Sequence, residues 1–284
     1  MGEVFTLDDI PFGLFQSVIA RNGDTFDRLT PEQYYEVAQQ FAQAVKLGAD
    51  PLAMPIPGKQ GFNPEALHDI GCIMRQIPKL SADGFAVGMW SSASAAGYRL
   101  STLSLIRHII KAKAYGRGAR FAKVEKHFKS LVATAKDADA LTAEGELLYG
   151  QGNYEAALRV LQRALQVGKD DESFEWRAFC ELCLGQVYVK LKRYQEAKDI
   201  FKSLSESGVP EADIELGQML RPTDRETAAR HLFAVACAGR PDIFAQLSEM
   251  SLEQAAETKD ETAVREFRRW SDEWSRLANT SAAF

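Results

Sequence analysis

Four times between Ala138 and Ala278 the same spacing returns. Gly145, Gly185, Gly217 and Ser251 are each followed twelve residues later by an alanine: Ala157, Ala197, Ala229 and Ala263. Four residues further on stands a large apolar side chain, Leu161, Phe201, Phe233 and Phe267, and three beyond that Ala164, Leu204, Ala236 and Trp270. The starts are 40, 32 and 34 residues apart. A period of this length belongs to arrays of helical units. Each unit predicts two antiparallel helices joined by a short turn. The glycine on the first helix and the alanine on the second leave room for a close crossing, and the large residues fill the space before the next pair. One pair cannot bury its apolar face alone, so the units must stack. All of these residues are therefore expected in the core, and none is assigned to chemistry.

The first copy reads AEGELLYGQGNYEAALRVLQRAL and the second CLGQVYVKLKRYQEAKDIFKSL. Both closely resemble the tetratricopeptide (TPR) repeat. The third, ADIELGQMLRPTDRETAARHLFAVACAGR, lies between TPR and the Sel1-like repeat, and the fourth is degenerate. The resemblance covers about half of the chain. It implies an all-α fold, an α-solenoid of stacked antiparallel helix pairs, here with an N-terminal helical extension. The expected divisions are 1–62, a segment with one helix and a Pro/Gly-rich loop; 63–137, degenerate helical pairs; 138–278, the repeats with a C-terminal capping helix; and 279–284, a tail.

Upstream of the repeats the pattern is looser. Residues 1–29 are dense in apolar side chains but broken by Pro11 and Gly13, and they are expected to dock on the body. Thr30 with Pro31 predicts a helix start, and that helix stops at Gly48. The stretch 49–63 holds three prolines and two glycines and is the best candidate hinge. Four helices follow, at about 64–77, 83–96, 101–115 and 119–135. In the last pair of the array, Val264, Phe267, Trp270, Trp274 and Leu277 form one stripe opposite Arg265, Arg268, Arg269 and Arg276, as expected of a cap.

Composition excludes several classes of function. The net charge of −5 does not fit a globally basic nucleic-acid binder, and no apolar run approaches the roughly 20 residues that span a bilayer. The N-terminus lacks the basic start and apolar run of a secretory signal and carries acids before its first arginine. An intracellular, cytoplasmic location is expected, with the mitochondrial matrix as the alternative for a chain whose presequence has been cleaved. Cys180 and Cys183 form CELC inside a predicted helix, with no second pair or spaced histidines to complete a zinc site. The cysteines are read as buried or half-buried thiols, which suits a reducing compartment. The four histidines lie on different predicted helices, and no HExxH or GxSxG occurs. No catalytic residue, cofactor or metal ligand is expected.

Two surfaces are candidates for binding. In TPR proteins the first helices of the pairs line a concave face that takes peptides. The resemblance places Glu146, Phe179, Leu182, Gln186, Glu211, Ile214, Glu215 and Gln218 there, together with Asp139 and Thr142. The family's carboxylate clamp for chaperone C-termini needs lysine, asparagine and arginine at places held here by Thr142, Glu146, Cys183, Glu211 and Glu215, so it is not supported. The lining is mixed and acidic, which suits a basic amphipathic segment of a partner protein.

The second surface is basic. From Arg107 to Lys136 there are nine Lys or Arg and one acid, Glu125, a net of +8 against −13 for the remainder. Arg120, Lys123, Lys126, His127 and Lys129 are expected on one side of a helix whose other side carries Phe121, Val124, Phe128, Leu131 and Val132. Arg120, Lys123, Lys126 and Lys129 form the candidate patch for an acidic protein, RNA or anionic lipid. The functional expectation is a non-catalytic interaction scaffold or adaptor in assembly, maturation or quality control of a partner complex. The alternative is an RNA- or ribosome-associated helical-repeat factor using residues 107–136.

Overall fold

The computed structural model describes residues 5–54 and 62–279. Among them every regular element is helical. Contacts divide the chain into two compact units, 1–143 and 144–284.

The first unit begins with a helix that the breakers Pro11 and Gly13 concealed. α1 spans Phe12–Arg21, with Pro11 at its N-cap, where a missing N–H costs little. It buries Phe15, Val18 and Ile19. The Ile10 carbonyl just before it accepts from the Tyr35 hydroxyl at 2.8 Å. α2 spans Pro31–Lys46 and opens on a reciprocal cap: Thr30 Oγ1 accepts from the Gln33 N–H, and Gln33 Oε1 accepts from the Thr30 N–H. α3 is Pro64–Met74, α4 Leu80–Ala95, α5 Arg99–Lys111 and α6 Ala122–Ala133. A 3-10 turn, Ala119–Phe121, precedes α6. Each packs on the next along the chain.

α3 and α4 cross closely. A Cβ placed on Gly71 would lie 2.5 Å from Trp90 Nε1. That indole N–H donates to the His68 carbonyl at 3.2 Å. The described part of the Pro/Gly-rich stretch is pinned to α4: Ser92 Oγ donates to the Pro51 carbonyl and accepts from the Met54 N–H. The rest of that stretch, 55–61, lies outside the described residues.

α7, Ala138–Gly150, contains the boundary between the units. Its first turn belongs to the first unit and is held by Arg99, which pairs with both carboxylate oxygens of Asp137 and with Asp139 Oδ2. In the second unit α8 is Tyr154–Val167, α9 Arg177–Lys190, α10 Tyr194–Glu206, α11 Pro210–Leu220, α12 Arg225–Cys237, α13 Phe244–Glu257 and α14 Glu261–Ala278. From α8 onward each helix packs on its successor, and α9 also touches α11. This is a short α-solenoid of helix pairs.

The repeated glycines sit at the crossings. A Cβ on Gly145 would lie 2.4 Å from Leu161 Cδ2, and one on Gly185 2.4 Å from Phe201 Cε1. The third pair departs from the expected register. Gly217 faces Leu232, not Phe233, and the buried alanine is Ala228, not Ala229. The cause is the start of α12. α8 and α10 each begin nine residues after their glycine (Tyr154, Tyr194), whereas α12 begins eight after it, at Arg225. That shift of one residue turns Phe233 outward, leaving it 45% exposed. Phe233 joins an aromatic group with Phe244 and Trp274, the latter two stacked at 5.6 Å.

The fourth pair has no glycine. Ser248, Ser251 and Ser271 are buried instead, and Ser248 Oγ lies 2.8 Å from both Ser271 Oγ and Ser275 Oγ. Trp270 does not fill an inner space as its position in the pattern predicts. It is 48% exposed and stacks on Trp274 at 5.3 Å. Among the described residues no helix is long and apolar enough to cross a membrane.

Candidate functional site

In the second unit the first helices of the pairs place the expected groove residues as follows. Glu146 is on α7, Phe179, Leu182 and Gln186 on α9, and Glu211, Ile214, Glu215 and Gln218 on α11. Phe179 is 41% exposed; Glu211 and Gln218 are exposed, and Glu146, Leu182, Gln186 and Glu215 half-buried. Gln186 Nε2 donates to Glu215 Oε1 at 2.6 Å, so α9 and α11 present side chains to one surface. Ile214 is engaged elsewhere, against the apolar cluster of Ala228, Leu232 and Leu247.

Two further groove expectations are corrected. Asp139 is 2% exposed and held by Arg99, and Thr142 is fully buried with its hydroxyl donating to the Ala138 carbonyl. Neither can face a ligand, because α7 spends its first turn in the first unit. Tyr149 was missed by the sequence reading. Burial, and next the charge of Glu215, push its hydroxyl above the usual tyrosine range. It follows Glu146 by three residues, the spacing of one helix face, and that was the available signal.

In the first unit Arg120, Lys123, Lys126 and Lys129 are all exposed. His127 is not on their side. It is half-buried, with Nδ1 2.9 Å from Thr102 Oγ1, which lies 2.7 Å from Ser94 Oγ. Glu125, the single acid of the segment, is 9% exposed and turned inward, where its carboxylate accepts from the Gly116 N–H at 2.8 Å. Among the described residues it makes no ion pair with the lysines. Lys123, Lys126 and Lys129 make no ion pair among the described residues.

A nucleophile and a base do meet at one place. Cys72 Sγ lies 3.6 Å from His68 Nε2, one turn apart on α3, and His68 Nδ1 lies 3.1 Å from Ser101 Oγ. Burial pushes the imidazole down to about 4, with Asp69 and Arg28 acting as smaller, opposed influences. A histidine so weakly basic does not draw the proton from a thiol, so the pair is poorly suited to nucleophilic chemistry. Among the described residues no group of three His, Cys, Asp or Glu could hold a metal ion.

No family model matches the sequence, and no curated protein does. A structural comparison finds likeness to the crystal structure of a Sel1 repeat protein from Oxalobacter formigenes. The TM-score is 0.49 at 15% identity, covering 88% of this chain and 99% of that one. The solenoid reading of the second unit rests on its own helix pairing and glycine crossings.

Proposed function

We propose that the chain is a non-catalytic protein-binding scaffold whose second unit holds a basic, amphipathic segment of a partner on α7, α9 and α11, in an assembly, maturation or quality-control step. The observation that carries this reading is the Gln186–Glu215 bond between α9 and α11, with Phe179 exposed on the same helix as Gln186. Exposed ion pairs contribute only about 0–1 kcal/mol each, so the apolar contacts supply most of the affinity. The weak basicity of His68 argues on the same side, against chemistry at Cys72.

The test is fluorescence anisotropy with a labelled lysine–leucine amphipathic peptide and its glutamate–leucine counterpart. The basic peptide should bind better, and Phe179→Ala should weaken it more than Glu215→Gln does. If neither substitution changes binding of the basic peptide, the groove is not the site.

A further inference from the structure

The basic face of α6 does not stand alone. Its N-terminal end opens into a cleft of about 560 Å³ between α6, the C-terminal end of α4 and the loop after α2. This is within the range of roughly 300–1,000 Å³ that small-ligand and side-chain pockets occupy. One wall is apolar: Leu52, Ala53, Ala95, Phe121 and Val124. Ser91, Ser94 and His127 supply polar groups at its base, and Arg120 and Lys123 stand at the rim. Ser91 is only 9% exposed, and its hydroxyl has no hydrogen-bond partner among the described residues. Arg120 lies over the Phe121 ring at 5.2 Å. Asp50 is the acid of the lining, and its Oδ1 is turned to its own loop, accepting from the Leu52 N–H at 2.9 Å.

From this rim the cations continue outward at a fixed step. Lys123, Lys126 and Lys129 recur every three residues on α6, so successive ones neighbour each other on the helix surface, and Arg120 precedes them in the 3-10 turn. Lys123 to Lys129 covers about 9 Å of helix. Lys123, Lys126 and Lys129 carry this charge with no ion pair to Glu125, whose carboxylate is turned to the Gly116 N–H. We infer that this cleft and stripe form a second docking site, which takes an acidic peptide segment of a partner: one apolar side chain enters the cleft and the carboxylates that follow it lie on the lysines. Charge complementarity names the occupant, and the apolar wall explains why it must carry more than charge. Phe121 is half-buried beneath Arg120 and offers little ring face for stacking bases, so a protein segment fits better than a single-stranded nucleic acid.

The experiment uses the full chain and four labelled probes: a short peptide with one phenylalanine followed by glutamates, the same peptide with serine for phenylalanine, a single-stranded RNA, and vesicles containing phosphatidylserine. The phenylalanine peptide should bind best, and added salt should weaken it. Lys123→Glu with Lys126→Glu should weaken it at least about tenfold and flatten the salt dependence. Ala95→Trp adds bulk at an exposed position of the cleft and should erase the advantage of phenylalanine over serine while leaving the salt dependence. Unchanged far-ultraviolet circular dichroism of both variants separates loss of the site from loss of the fold. Equal binding of the two peptides, tighter binding of RNA or vesicles, or no peptide binding at low salt would each overturn the proposal.

Discussion

Gly185→Ala measures how tightly α9 and α10 cross. The added methyl carbon would stand 2.4, 2.9 and 3.0 Å from three atoms of the Phe201 ring, which is fully buried. Carbon atoms in good contact sit about 3.5–4.0 Å apart, so the ring or one helix must give by about 1 Å. Overpacking of this kind costs about 1–3 kcal/mol. Against it stands the gain of about 1 kcal/mol from replacing glycine by alanine in a helix. The net expectation is a loss of about 0–2 kcal/mol for alanine and a larger one for Gly185→Leu. In urea, with a slope of about 2 kcal/mol/M, a loss of 1 kcal/mol moves the midpoint down by about 0.5 M. Gly150→Ala is the control, since a Cβ there meets nothing within 4 Å; it should raise the midpoint. Gly185→Ala combined with Phe201→Leu should cost less than the two single changes added together, because the shorter side chain vacates the space. If Gly185→Ala stabilises as much as Gly150→Ala does, the crossing is not close and the packing argument for the repeated glycine is refuted.

Two other expectations concern buried polar side chains. His68 is held neutral by burial with its folded value near 4, below the usual value of about 6.5. The unfolded chain therefore binds the proton first, and stability should fall as the pH drops from about 6.5 to 4, by on the order of 2–3 kcal/mol; denaturant midpoints of His68→Asn across that range should be flatter. Ser271→Leu should lift α14 from α13, because Ser271 is 3% exposed and bonded to Ser248; acrylamide quenching of Trp270 and Trp274 should rise, and unchanged quenching would show that the crossing tolerates bulk.

How much of this was legible in the sequence depends on whether the cause was local. The pairs and their crossings were, because the glycine, the alanine and the turn lie within one unit. Thr30 and Pro31 announced α2 for the same reason. The third register slipped because the early start of α12 leaves no mark in residue type: Ala228 and Ala229 are both alanines, and Leu232 and Phe233 are both large and apolar. α1 was hidden by Pro11 and Gly13, which are harmless at a helix start. At the candidate sites, the exposure of Arg120, Lys123, Lys126 and Lys129 followed from their spacing, but the inward turns of His127 and Ile214 did not, because their partners lie on other helices. The burial of Asp139 did not, because its partner Arg99 is 40 residues away in sequence. The inward turn of Glu125 depends on a backbone N–H at Gly116 that only the folded turn brings near.

That turn of Glu125 has a consequence for how the molecule meets charged matter. A surface in salt solution responds only to what lies within a screening length, about 8–10 Å at ordinary ionic strength. The lysines of α6 occupy a strip of about that length, so a sulfonated resin would sense them and not the whole-molecule charge of −5. At neutral pH, well above its isoelectric point of about 5.6, the protein should adhere to an anion exchanger by its bulk and to a cation exchanger by this one strip.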